Sequence, residues 1–132
     1  MKRIATTAVL TAAVFLAMGP SAFAATAGCA GGTCLTVEGS GRYVARASAS
    51  PASPADDFFG HYRLSGLGRK NTESAVRHWR HGQFFTVALG RDLPAGTVVC
   101  AEGFEHIDGQ VKPHGKACVK IPGASAAGTG GA

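Results

Sequence analysis

Charge is scarce in this chain. Asp, Glu, Lys and Arg make up 16% of its 132 residues. Carboxylates are the scarcest, eight in all. Acid–base hydrolysis wants two of them facing one cleft. Glu102 and Glu105 lie on one expected strand, but their parity puts them on opposite faces. No GxSxG turn is present, and no Gly-rich phosphate loop opens a helix. No cysteine is left over as a free nucleophile. Serines, five histidines and several aspartates are present, but no catalytic constellation stands out among them. No catalytic residue and no cofactor is assigned, and the chain reads as a non-enzyme.

Long apolar runs are also lacking. The longest, Ala8 to Met18, is shorter than the roughly 20 residues a spanning helix needs. Lys2 and Arg3 precede it, and Ala22-Phe23-Ala24 follows it. That order marks residues 1–24 as a secretory signal peptide, cleaved after Ala24. The mature chain then carries no membrane span and is expected to be extracellular. Losing Lys2 and Arg3 leaves 11 basic against 8 acidic residues, a formal +3. The Ala-, Gly- and Arg-rich usage fits a high-GC bacterial source.

Four cysteines are present, Cys29, Cys34, Cys100 and Cys118, all in the mature part. An even count in a short exported chain implies disulfides. Residues 97–121 select the pairing. Asp108-Gly109 is a hairpin turn signal. Setting Cys100 opposite Cys118 brings Glu102 opposite Lys116, Val99 opposite Val119 and Ala101 opposite Ala117. Opposite charges, apolar pairs and cysteines thus agree on one register. A two-residue turn runs one residue out of that register, so a bulge is expected near Pro113, which cannot donate to a ladder. Val111, Pro113, Gly115, Ala117, Val119 and Ile121 would share one face. That favours Cys29 with Cys34; the alternative crosslinks the N-terminal strand to the hairpin. A zinc site is excluded by the spacing and by export.

The rest of the chain reads as short strands between Gly and Pro turns. Residues 25–28 are a lead-in. Strands are expected over about 33–38, 42–48, 58–65 and 83–89, with Glu38 and Arg42 closing the first turn as an ion pair. Phe59, His61 and Arg63 share one face of the third strand; Phe58, Gly60, Tyr62 and Leu64 share the other. Residues 48–57 look like an exposed loop, and 91–96 like a turn. Residues 71–81 fit either a short helix capped by Asn71 or an irregular connection. The tail, 123–132, has nothing to bury and is expected to be disordered. The fold expected over 29–122 is a single all-β antiparallel sandwich or small barrel, stapled by disulfides, with about six or seven strands. It is not an immunoglobulin domain, because Trp79 lies too far from Cys34.

The candidate binding surface is the basic-aromatic region from His61 to Gln83. It holds Arg63, Arg69, Lys70, Arg77, Trp79, Arg80 and His81. Cations beside aromatics bind phosphates, acidic sugars or stacked rings. Nucleic acid is a poor target for an exported chain without a nucleic-acid motif. An extracellular anionic polymer or a cell-surface protein is the expected partner. His78 and His81 would share a helix face, but no carboxylate or cysteine is free beside them, so no metal is assigned. The second function considered is inhibition of an extracellular protease or glycosidase, through the small Cys29–Cys34 ring or the 48–57 loop.

Overall fold

The computed structural model describes residues 24–122. The expected signal peptide, Ala24 apart, and the expected tail lie outside those residues. The described chain forms β1 (Ala24–Ala30), β2 (Thr33–Ser40), β3 (Tyr43–Pro51), β4 (Phe58–Ser65), β5 (Thr72–Glu73), β6 (Arg77–Trp79), β7 (Phe85–Asp92), β8 (Val98–Ile107) and β9 (Gln110–Lys120). One 3-10 turn, Pro54–Asp56, precedes β4. The strands build two antiparallel sheets. One runs β1-β2-β3-β7; the other runs β4-β8-β9, with β5 and β6 both on the far edge of β4. The fold is the disulfide-stapled β-sandwich that the pattern implies.

The core lies between the sheets. Leu35, Val37, Val44, Ala47 and Ala49 come from one sheet, and Phe58, Tyr62, Leu64, Val99, Ala101 and Ala117 from the other. Period-two alternation puts them there; along β4 it buries Phe58, Tyr62 and Leu64 and turns Phe59, His61 and Arg63 outward. Leu67, Trp79, Val87, Leu93 and Ile121 complete the buried cluster. Burying each large apolar side chain contributes roughly 1.5–3 kcal/mol.

The β8–β9 hairpin has the expected register. Cys100 faces Cys118, Val99 faces Val119, Ala101 faces Ala117 and Glu102 faces Lys116. Asp108 and Gly109 both take positive φ, 52° and 75°, as a tight hairpin turn requires. The register shifts between Glu102 and Phe104, so that Gly103 faces both His114 and Gly115. The bulge thus sits just past Pro113, which itself pairs with Phe104. It inverts the expected alternation. Val111 and Pro113 share the outer face with Phe104 and His106, whereas Ala117 points into the core, and Val111 is 55% exposed. Glu102 makes its ion pair with Arg63, at 2.9 Å, across β4 and not across the hairpin to Lys116.

Several local expectations change. Residues 25–28 are part of β1, which pairs with β2 from Ala24↔Gly39 to Ala30↔Thr33. β3 runs on to Pro51 and buries Ser48, Ala49 and Ser50, so the first half of 48–57 is strand and not exposed loop. Ala49 is a core residue there, and Ser50 sits opposite Cys34. Glu38 pairs with Arg46 and not with Arg42, because the register places Arg46 directly opposite; Arg42 reaches Asp92 at 3.6 Å. β7 includes Arg91 and Asp92, which pair with Val44 and Tyr43. No helix forms over 71–81. The open edge of β4 offers unpaired backbone groups, and β5 and β6 take them up. Both disulfides, Cys29–Cys34 and Cys100–Cys118, join residues directly opposite in neighbouring strands.

β9 meets the β1–β2 turn backbone to backbone. Gly115 has φ of 91°, and a Cβ there would strike the carbonyls of Ala30 and Gly31. Thr33 Oγ1 donates to the His114 carbonyl at 2.6 Å, so the bulge's free acceptor is satisfied. Gly115→Ala therefore adds both a clash and a strained backbone. It should lower stability by about 2–4 kcal/mol, read as a reduced urea midpoint with an unchanged m-value. A Gly41→Ala control also carries positive φ but has open space around it, and should cost less.

Candidate functional site

β4 and β8 are neighbours, and their outward residues have matching parity. His61 faces Phe104 and Arg63 faces Glu102. The edge strands extend the rungs, with His78 opposite Phe59 and Glu73 opposite Arg63. The outer face of this sheet therefore carries one unbroken row of flat groups. The His78 and Phe59 rings stand 5.0 Å apart, and Phe59 and His106 6.4 Å. His61 Nδ1 and His106 Nε2 share a 2.8 Å hydrogen bond, one ring donating and the other accepting. His61 stacks on Phe104 at 5.0 Å and 19°. The Arg63 guanidinium lies 4.7 Å from the centre of the Phe104 ring and donates to Glu102. Phe59 is 41% exposed, so the row presents a π-face to solvent. Beside Phe59 and His78 the surface opens into a hollow of about 430 Å³, whose other walls are Asp57, Phe58, Trp79, Arg80 and Glu105.

The basic residues singled out by sequence fall into two groups. Arg63 belongs to the row. Arg69, Lys70, Arg77, Arg80 and His81 are exposed along the β5–β6 edge beside it. None of Arg69, Lys70, Arg77 and Arg80 makes an ion pair among the described residues. Trp79 does not belong to the surface. It is only 4% exposed, packs against Tyr62 at 5.4 Å and donates from Nε1 to the Gly60 carbonyl at 3.1 Å. Arg77 covers its outer ring face at 4.6 Å. A buried indole cannot stack an external ring. The His81 amide donates to Asp57 Oδ1, which ties the β6 end to the start of β4.

Glu102, Phe104 and His106 are the members that sequence reasoning missed. Their signal was parity: three chemistry-bearing side chains at every second position of one strand, as in Phe59, His61 and Arg63. What sequence lacked was that β4 and β8 are neighbours.

Burial lowers the His61 pKa; Glu73, 3.5 Å from Nε2, opposes that shift, and His106 and Arg63 add to it. Burial raises the Tyr62 phenol, and Asp56 and Asp57 push it further the same way. Among the described residues, no three His, Cys, Asp or Glu side chains converge to hold a metal ion. No helix among them is long and apolar enough to cross a membrane. The chain matches no protein-family model, no curated protein and no solved structure.

The lowered His61 pKa has a stability consequence. The unfolded chain binds the proton more readily than the folded one. The His61 contribution is therefore neutral well above the ordinary value of 6.5 and destabilises as pH falls below it towards the folded-state value. Urea midpoints measured across that window should fall with pH, and His61→Asn should flatten the slope. An identical slope in the variant would show that His61 is not its source.

Proposed function

We propose that this is a secreted, non-catalytic binding protein that holds an anionic, ring-bearing polymer against the outer face of the β4–β8–β9 sheet. An acidic polysaccharide of a cell surface or wall has that chemistry. One observation carries the reading: the row His78, Phe59, His106, His61, Phe104, Arg63 runs beside an edge of cations without carboxylate partners. Sugar rings stack on aromatic faces, and the neighbouring cations meet the polymer's charges. The row is held before any ligand arrives, by the His61–His106 and Arg63–Glu102 bonds, which lowers the cost of ordering it on binding. Export is part of this reading. It rests on the N-terminal pattern, and the two disulfides fit an oxidising compartment.

Inhibition of an extracellular hydrolase draws less support. The Cys29–Cys34 ring is a tight turn backed onto Gly115, and residues 48–51 of the 48–57 stretch are buried strand. Among the described residues neither projects as a free loop.

Retention on immobilised polygalacturonate or alginate tests the proposal. Binding should be clear at low salt and fall as salt rises, since exposed charges are screened over roughly 10 Å at 0.1 M. Phe59→Ala should weaken it about tenfold, the scale of a lost aromatic stack. The triple change Arg69→Glu, Lys70→Glu, Arg80→Glu should abolish the salt dependence while leaving the thermal midpoint nearly unchanged. Absence of retention on either polymer at low salt would overturn the reading.

A further inference from the structure

The opposite sheet has a quite different outer face. β2, β3 and β7 bring Thr36, Ser48 and Thr86 into one rung, and Glu38 and Arg46 into the next. These five residues, with Phe84, line a hollow of about 380 Å³. That size lies within the range of small-ligand sites. Phe84 precedes β7 and is 56% exposed, with no ring contact among the described residues.

We propose that this hollow is a second binding site, and that it takes an uncharged sugar ring carrying neighbouring hydroxyls. Phe84 supplies the platform for the apolar C–H face of the ring. Arg46 Nη1 donates to Glu38 Oε1 at 2.6 Å, and both side chains remain partly exposed. A carboxylate and a guanidinium held side by side match a vicinal diol. One hydroxyl donates to the free Glu38 oxygen, and its neighbour accepts from a free N–H of Arg46. The pair is neutral overall, so the site selects an uncharged ring, unlike the cation-edged face across the sandwich. Ser48 Oγ and Thr86 Oγ1 lie 2.9 Å apart. One proton between them leaves the other hydroxyl free to donate to the ring. Short side chains at these positions keep the floor open.

The site stands independently of the anionic-polymer reading, because it shares no residue with that face. Its test is an NMR titration of the ¹⁵N-labelled protein with two uncharged probes whose rings carry a 2,3-diol, cellohexaose and xylohexaose. One probe or both should shift the amides of Thr36, Glu38, Arg46, Ser48 and Thr86, with saturation in the millimolar range. Phe84→Ala, outside the core, should keep a folded spectrum and weaken binding about tenfold. Glu38→Gln should weaken it too. Phe59→Ala should leave the titration unchanged. No shift with either probe up to about 10 mM would overturn the proposal. So would shifts that map to β4 and β8, or a titration that Phe84→Ala leaves intact.

Discussion

The contact between β9 and the β1–β2 turn is the constraint on which the rest depends. Gly115 and Gly31 meet with no side chain between them, and Thr33 closes the bulge by donating to the His114 carbonyl. Leaving that carbonyl buried without a donor would cost about 1–3 kcal/mol. The bulge it stabilises is one residue, but in a strand one residue exchanges the two faces. On the turn side, Val111 and Pro113 face out with Phe104 and His106; on the disulfide side, Ala117 faces in. His114 is left at the sandwich end, stacked on Phe58 at 4.1 Å and bonded to the Asp56 carbonyl. The mouth of the hollow beside Phe59 is built from the same neighbourhood.

Closing the sandwich this way gives two outer faces of unlike chemistry. One is wide, aromatic and rich in imidazole, with cations at its edge. The other is hydroxyl-bearing, with the Glu38–Arg46 pair and Phe84 lining its hollow. Both are faces on which a ring can lie. A sheet suits this role because cross-strand neighbours are spaced evenly and point the same way.

Trp79 shows how composition can mislead. In sequence it sits among Arg77, His78, Arg80 and His81 and looks like the centre of a binding patch. In the structure its indole closes the core and its one donor goes to the Gly60 carbonyl. The cations around it remain on the surface, and Arg77 shields it. The ring that stays exposed beside those cations is instead Phe59, on the outer face of β4.

Much of the fold was legible, because a strand's period, a turn's φ requirement and a disulfide's reach are local properties. The hairpin register, both disulfides, the outward set Phe59, His61 and Arg63, and the all-β class follow from them. Errors arose where a segment answered to a distant partner. Residues 71–81 pair with the open edge of β4, 25–28 with β2, Glu38 with Arg46 rather than Arg42, and Glu102 with Arg63 rather than Lys116. The candidate site follows the same division. Sequence determined that β4 and β8 would each turn a row of rings and charges one way. Only the tertiary structure decided that the two rows lie side by side, since strand order is set by long-range packing and leaves no mark on local spacing.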